Sequence, residues 1–141
     1  MYKLFDHKLH EQTDVPAREA AKAFWQEQGY KCEDNADEYG VDLVVSKDGK
    51  RFYCEVEVKL VWHGLDFKWD TVHIPVRKAK FLNKPTMFML FNHSLTRAAI
   101  INRQQVLAAP VSKVANNQIK FGEKFFDVPV SEAVFVPTVA Y

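Results

Sequence analysis

The sequence is poor in cysteine, poor in glycine, and has no surplus of either charge. Cys32 and Cys54 are its only two cysteines, and they form no CxxC pair, which argues against a zinc centre and against a disulfide framework. Nineteen basic and eighteen acidic residues leave a net charge of +1, so the broad basic excess of a protein that attracts nucleic acid with its whole surface is missing. Binding of that kind must be local. Long apolar runs are missing too: the longest clean one, "MFML" with Phe91, is far short of the ~20 residues of a membrane span. The opening "MYKLFDHKLH" lacks the continuous apolar core of a signal peptide, and the expectation is a cytoplasmic protein in a reducing compartment. Phosphate-loop and dinucleotide fingerprints are absent, the five histidines show no zinc or metalloprotease spacing, and Ser46, Ser94 and Ser112 do not sit in a nucleophile elbow. Acyl transfer and nucleotide-loop chemistry therefore have no support.

What is present is a core. The composition is 48% hydrophobic and 13% aromatic over 141 residues, enough for one domain that buries about 68% of its unfolded surface without a staple. "QTDVPAREAAKAFWQEQGY" predicts an opening helix capped by Thr13 or Asp14, with Pro16 in its first turn, Gly29 at its end, and Phe24 and the alanines facing inward. "YKCED" and "VDLVV" read as strands, "SKDGK" as a turn, and "RFYCEVEVKLVW" as the returning strand of a hairpin. "HGLDFKWDTVHIP" is irregular, and part of it extends the sheet. "VRKAKFLNK" predicts a short helix, "TMFMLFN" and "RAAIINR" two further strands, and "QQVLA" another short helix. The stretch "NNQIKFGEKFFDVPVSEAVFVP" reads as a hairpin and an edge extension broken by Pro129 and Pro137. The expected fold is a single α/β (α+β) domain with a central mixed sheet flanked by helices, its core over about 14–92 and a C-terminal extension of the sheet over about 93–141.

The charge pattern within the hairpin points to chemistry. Strand alternation puts Glu55, Glu57 and Lys59 on one face of "RFYCEVEVKLVW" and Cys54, Val56, Val58 and Leu60 on the other. In "VDLVV" the same rule separates Asp42 and Val44 from Val41, Leu43 and Val45, and places Asp42 at the end of the acidic face. Clustered carboxylates repel and are costly near a core unless a cation holds them. A hard divalent ion answers that cost with oxygen ligands. Asp42 and Glu57 are the candidate metal ligands, with the Val58 carbonyl as a further ligand and Glu55 as an additional one or a rim charge. Mg²⁺ is the expected ion and Mn²⁺ its substitute. Lys59 would then orient or deprotonate an attacking water or neutralise a phosphoryl group, which makes a site for phosphodiester hydrolysis.

"GVDLVV" followed across a turn by "CEVEVK" resembles the core of the PD-(D/E)XK, or restriction-endonuclease-like, nuclease superfamily. The resemblance covers roughly residues 14–92, and Val41 stands where the proline of the pattern would be. It implies that Asp42 takes the first acid position, Glu57 the second and Lys59 the lysine, with Glu19 on the opening helix as the family's additional glutamate. It suggests small single-domain members, among them archaeal Holliday-junction resolvases and phage-encoded enzymes, and so a Mg²⁺-dependent deoxyribonuclease, acting as an endonuclease on DNA. In the resembled fold the helix after the lysine strand flanks the site, so Arg77, Lys78 and Lys80 are the expected phosphate contacts. Trp62, with Trp69 and His63, is a candidate for stacking on unpaired bases. A homodimer would suit cutting of both strands, and the modest net charge leaves room for a partner protein that supplies affinity. The alternative is a nucleic-acid-binding or assembly protein that keeps this fold without catalysis.

Overall fold

The Asp48–Gly49 pair fixes the centre of the molecule. In the computed structural model, which describes residues 7–37, 40–114 and 122–138, strands β2 (Leu43–Lys47) and β3 (Lys50–Val58) are joined by those two residues, with Lys47 opposite Lys50. Both turn residues have positive φ, 52° and 79°. That is the signature of the tight hairpin whose twist matches its strands, and an Asp-Gly pair is suited to it. β1 (Lys31–Asp34) adds antiparallel to β2, and β5 (Thr86–Phe91) adds parallel to β3. β6 (Arg97–Asn102) and β9 (Val134–Pro137) complete a mixed six-stranded sheet in the order β1-β2-β3-β5-β6-β9. β5, at the centre, is buried on both faces, which is why "TMFMLF" reads as an unbroken apolar run.

Each face of this sheet has its own core. On the first, helix α1 (His7–Glu27) lays Ala17, Ala20, Ala21 and Trp25 against Leu43, Val45, Cys54, Val56 and Met89. On the second, Phe88, Leu90, Ala99 and Ile101 pack beneath Trp62, Val72, Ile74, Phe81, Val106 and Val128. The cover there comes from a 3-10 helix (Val76–Phe81), helix α2 (Arg103–Ala108) and a second sheet in the order β4-β8-β7, built from β4 (Thr71–Pro75), β7 (Val111–Val114) and β8 (Glu123–Pro129). The fold is thus α+β around a central mixed sheet.

Several expectations need correction. α1 begins at His7 and carries Pro16 inside it. A proline there costs one intrahelical hydrogen bond, and burial of the alanines directly after it keeps the helix going. Trp25, 6% exposed, is the inward aromatic, with Phe24 only half-buried beside it. β3 ends at Val58, so Leu60 is exposed rather than core. The segment expected to extend the central sheet supplies β4 to the second one. The side chains of residues 7–13, residues 38–39 and the turn of the predicted "NNQIKFG" hairpin lie outside the described residues. Among the described residues, no helix is long and apolar enough to cross a membrane.

Candidate active site

β3 presents Tyr53, Glu55 and Glu57 to the second face, since Cys54 and Val56 are committed to the first. The β2–β3 ladder ends at Leu43 opposite Cys54, which leaves Asp42 beside Glu55. The two acids are then locked to the strand end by backbone. The Val56 N–H donates to Asp42 Oδ2 at 2.8 Å, and the Asp42 N–H donates to Glu55 Oε1 at 3.2 Å. The chain bends here: Val41, expected on the side of Leu43, is buried in the opposite cluster.

The cation that meets these acids is Lys78. From the 3-10 helix its Nζ lies 3.2 Å from Glu55 Oε2 and 3.4 Å from Glu57 Oε2. The side chains of Lys78 and Glu55 are 10% and 11% exposed and that of Glu57 is 31% exposed, so water screens this contact little. Burial pushes the Glu55 carboxyl up to about 7, Lys78 pulls it down, and the Asp42 charge pushes it up again. Burial also works against the Lys78 ammonium, yet the Glu57 and Glu55 charges outweigh it and hold its pKa above the ordinary lysine value. Among the described residues, Glu55 and Glu57 thus share one ammonium in contact, while Asp42 accepts from the Val56 N–H.

Lys59 follows Glu57 by two residues but stands just past the end of β3. Its N–H donates to the Phe91 carbonyl at 2.9 Å, and its Nζ lies 4.7 Å from the centre of the Trp69 ring. Burial lowers its pKa and the Glu57 charge partly offsets that. Asp42, Glu55, Glu57 and Lys59 are thus brought to one region, while the acids' direct partner comes from a different element.

The other predicted positions scatter. Glu19 projects from α1, which covers the first face, and pairs with Lys22 at 3.2 Å on the surface, away from Glu57. Val58 closes β3 opposite Phe91 and packs its side chain against the first core. Arg77 is exposed and pairs with Glu123 at 3.2 Å, and Lys80 is exposed beside the Phe81 ring. Lys78 is no phosphate contact in this arrangement, because its ammonium is buried between two glutamates. Trp62 offers no ring face to a base: it is 0% exposed, edge-on to both Phe67 and Phe135. Sequence reasoning missed the pairing of Lys78 with β3, and the signal that could have found it was slight: a lysine two residues into "VRKAKF", with an apolar partner at Phe81.

Asp42, Glu55 and Glu57 supply the hard oxygen donors that suit Mg²⁺. Among the described residues no group of three Asp, Glu, His or Cys side chains could hold a metal ion alone. The donor set fits an ion that takes one or two carboxylates and fills its remaining positions with water and phosphate oxygen.

No family model matches this chain, and no curated protein matches it. Among solved structures it is similar to a Holliday junction resolvase from the archaeal hyperthermophile Archaeoglobus fulgidus. That likeness has 7% identity and a TM-score of 0.49, and covers 89% of each chain. It is also similar to a nuclease from a fusselovirus, with 13% identity and a TM-score of 0.44, over 94% of this chain and 89% of that one.

Proposed function

We propose that this protein is a Mg²⁺-dependent nuclease that hydrolyses phosphodiester bonds within DNA. One observation carries the reading: Asp42, Glu55 and Glu57 converge at the open end of the β2–β3 hairpin, where the two glutamates meet the Lys78 ammonium. Asp42 and Glu57, with Glu55 beside them, would hold the ion. When bound, it would supply a polarised phosphoryl oxygen and an activated water. The backbone N–H of Val56 fixes Asp42, and Lys78 holds the two glutamates side by side. Lys59, at the mouth of the same strand, would hold or move the proton of the attacking water, a task for which its lowered pKa suits it. A homodimer is the simplest assembly for cutting both strands of a duplex or junction, and a partner protein could add affinity to a chain of net charge +1.

A second reading is favoured by Lys78 itself. A built-in ammonium that already meets Glu55 and Glu57 also suits a protein that kept the fold for binding or assembly and needs no ion.

The test is incubation of the purified protein with Mg²⁺ or Mn²⁺ and labelled duplex, single-stranded and four-way-junction DNA, with RNA alongside, beside Asp42→Asn and Glu57→Gln. Cleavage by the wild type, lowered at least about a hundredfold in both variants with unchanged unfolding midpoints, supports the nuclease. Full activity in both variants, or no cleavage together with no heat of Mg²⁺ binding in calorimetry, sinks it in favour of the second reading.

A further inference from the structure

The tip of the β2–β3 hairpin and the turn before β5 enclose an open groove of about 1060 Å³, lined by Lys31, Lys47, Lys50, Arg51 and Lys84 with Tyr53, against the single carboxylate of Asp48. In a chain of net charge +1 this is a marked concentration of one sign. Lys31 pairs with Glu33 at 3.4 Å, but among the described residues none of Lys47, Lys50, Arg51 and Lys84 takes part in an ion pair. Their charges are unspent. Aromatic rings hold three of them in place: Arg51 and Lys84 lie 5.8 Å and 5.0 Å from the centre of the Tyr53 ring, and Lys47 lies 5.1 Å from that of Tyr30. Cations held in this way lose less freedom on meeting a ligand than the same side chains free in water. The floor of the groove leads to the acids. Tyr53, Glu55 and Glu57 alternate along one face of β3, so each step is about 7 Å, and the Tyr53 N–H donates to the Pro85 carbonyl at 2.8 Å, tying the two walls together.

We infer that this groove is a polynucleotide-binding track, in which Lys47 and Lys50 at the hairpin tip and Arg51 and Lys84 beside Tyr53 take phosphates of one strand, the latter two leading it along β3 to Glu55 and Glu57. The direction of the track rests on the nuclease reading, whereas binding in the groove does not. Contacts to phosphate carry affinity without sequence preference and release counter-ions, so they leave a salt signature. This local patch also supplies what the overall charge does not.

The experiment is fluorescence anisotropy of a labelled DNA oligonucleotide titrated with protein in EDTA, over a series of salt concentrations. Wild type is compared with Lys50→Gln/Lys84→Gln in the groove, and with Lys113→Gln/Lys124→Gln on the second sheet as a control of equal charge loss. The expected result is affinity weakened about tenfold or more at ~0.1 M salt for the groove variant alone, with the slope of log K against log salt reduced by about two. Equal effects of the two variants, or no binding by the wild type, overturn the track. Adding Mg²⁺ separates the two readings: binding that depends on the groove, with no cleavage and no heat of Mg²⁺ binding, leaves the track and removes the nuclease, and cleavage indifferent to Lys50 and Lys84 does the reverse.

Discussion

Lys78 and Lys59 are both lysines beside the same acids, and they should respond differently to removal. Lys78→Met strips from two largely buried carboxylates the only cation in contact with them among the described residues, and is expected to cost about 3 kcal/mol of stability, read by urea denaturation. Lys59→Met loses its contact with the Trp69 ring and the attraction of the Glu57 charge, but also relieves the burial of an ammonium, a net change of less than about 1 kcal/mol, and on the proposed nuclease reading its effect should fall on cleavage rate instead. Equal stabilities for the two variants would mean that Glu55 and Glu57 are hydrated after all. The cysteines give a separate check. Burial pushes the Cys32 thiol up to about 11 and Cys54 higher still. A thiol reagent at pH 8 should label neither in the native protein and both in urea. The sign of the linkage follows: below the ordinary value of 9 both states hold their protons and stability is complete, and it falls as pH rises through about 11, because the unfolded chain ionises first. Glu55 and Glu57 were legible from alternation alone, which is a local rule. Lys78 was not, because its partner lies 21 residues away and the 3-10 turn that aims it has no periodicity to read. Trp62 misled for the same reason, since an irregular segment does not show which of its aromatics is inside.

At the level of elements, the hairpin was readable because its signals are neighbours: two alternating strands and an Asp-Gly pair. Gly49, at φ 79° with open space around its Cα, should show a purely conformational penalty. Gly49→Ala is expected to lower stability by about 1 kcal/mol without altering the site, and a change several times larger would point to contacts that the structure does not have. The turn after β5 rests on Asn92, which is 0% exposed. Its amide donates to the Gly64 carbonyl and the Thr96 hydroxyl and accepts from the N–H groups of Thr96 and Arg97, all within 3.1 Å. Asn92→Leu should cost about 3 kcal/mol by calorimetry and loosen the 59–70 segment that holds Lys59 and Trp69. Sequence reasoning passed over Asn92 as the end of a strand. It also missed the second sheet, whose strands pair residues as far apart as Thr71 and Pro129, beyond the range of any pattern along the chain.

Considered whole, the molecule is a sheet with two cores and an uneven distribution of charge, basic around the hairpin tip and acidic at the hairpin's open end. Burying acids usually makes a fold conditional on whatever neutralises them. Here the chain carries its own tethered counter-ion, the Lys78 ammonium, into that position. The protein should therefore be indifferent to chelators: its thermal midpoint in excess EDTA is expected to equal that in untreated buffer, and Mg²⁺ should raise it only by mass action. A midpoint that collapses in EDTA would show that Lys78 does not do this. If it holds, the chain can be made and stored in metal-free solution with its acids already assembled, and on the proposed reading the ion would arrive last.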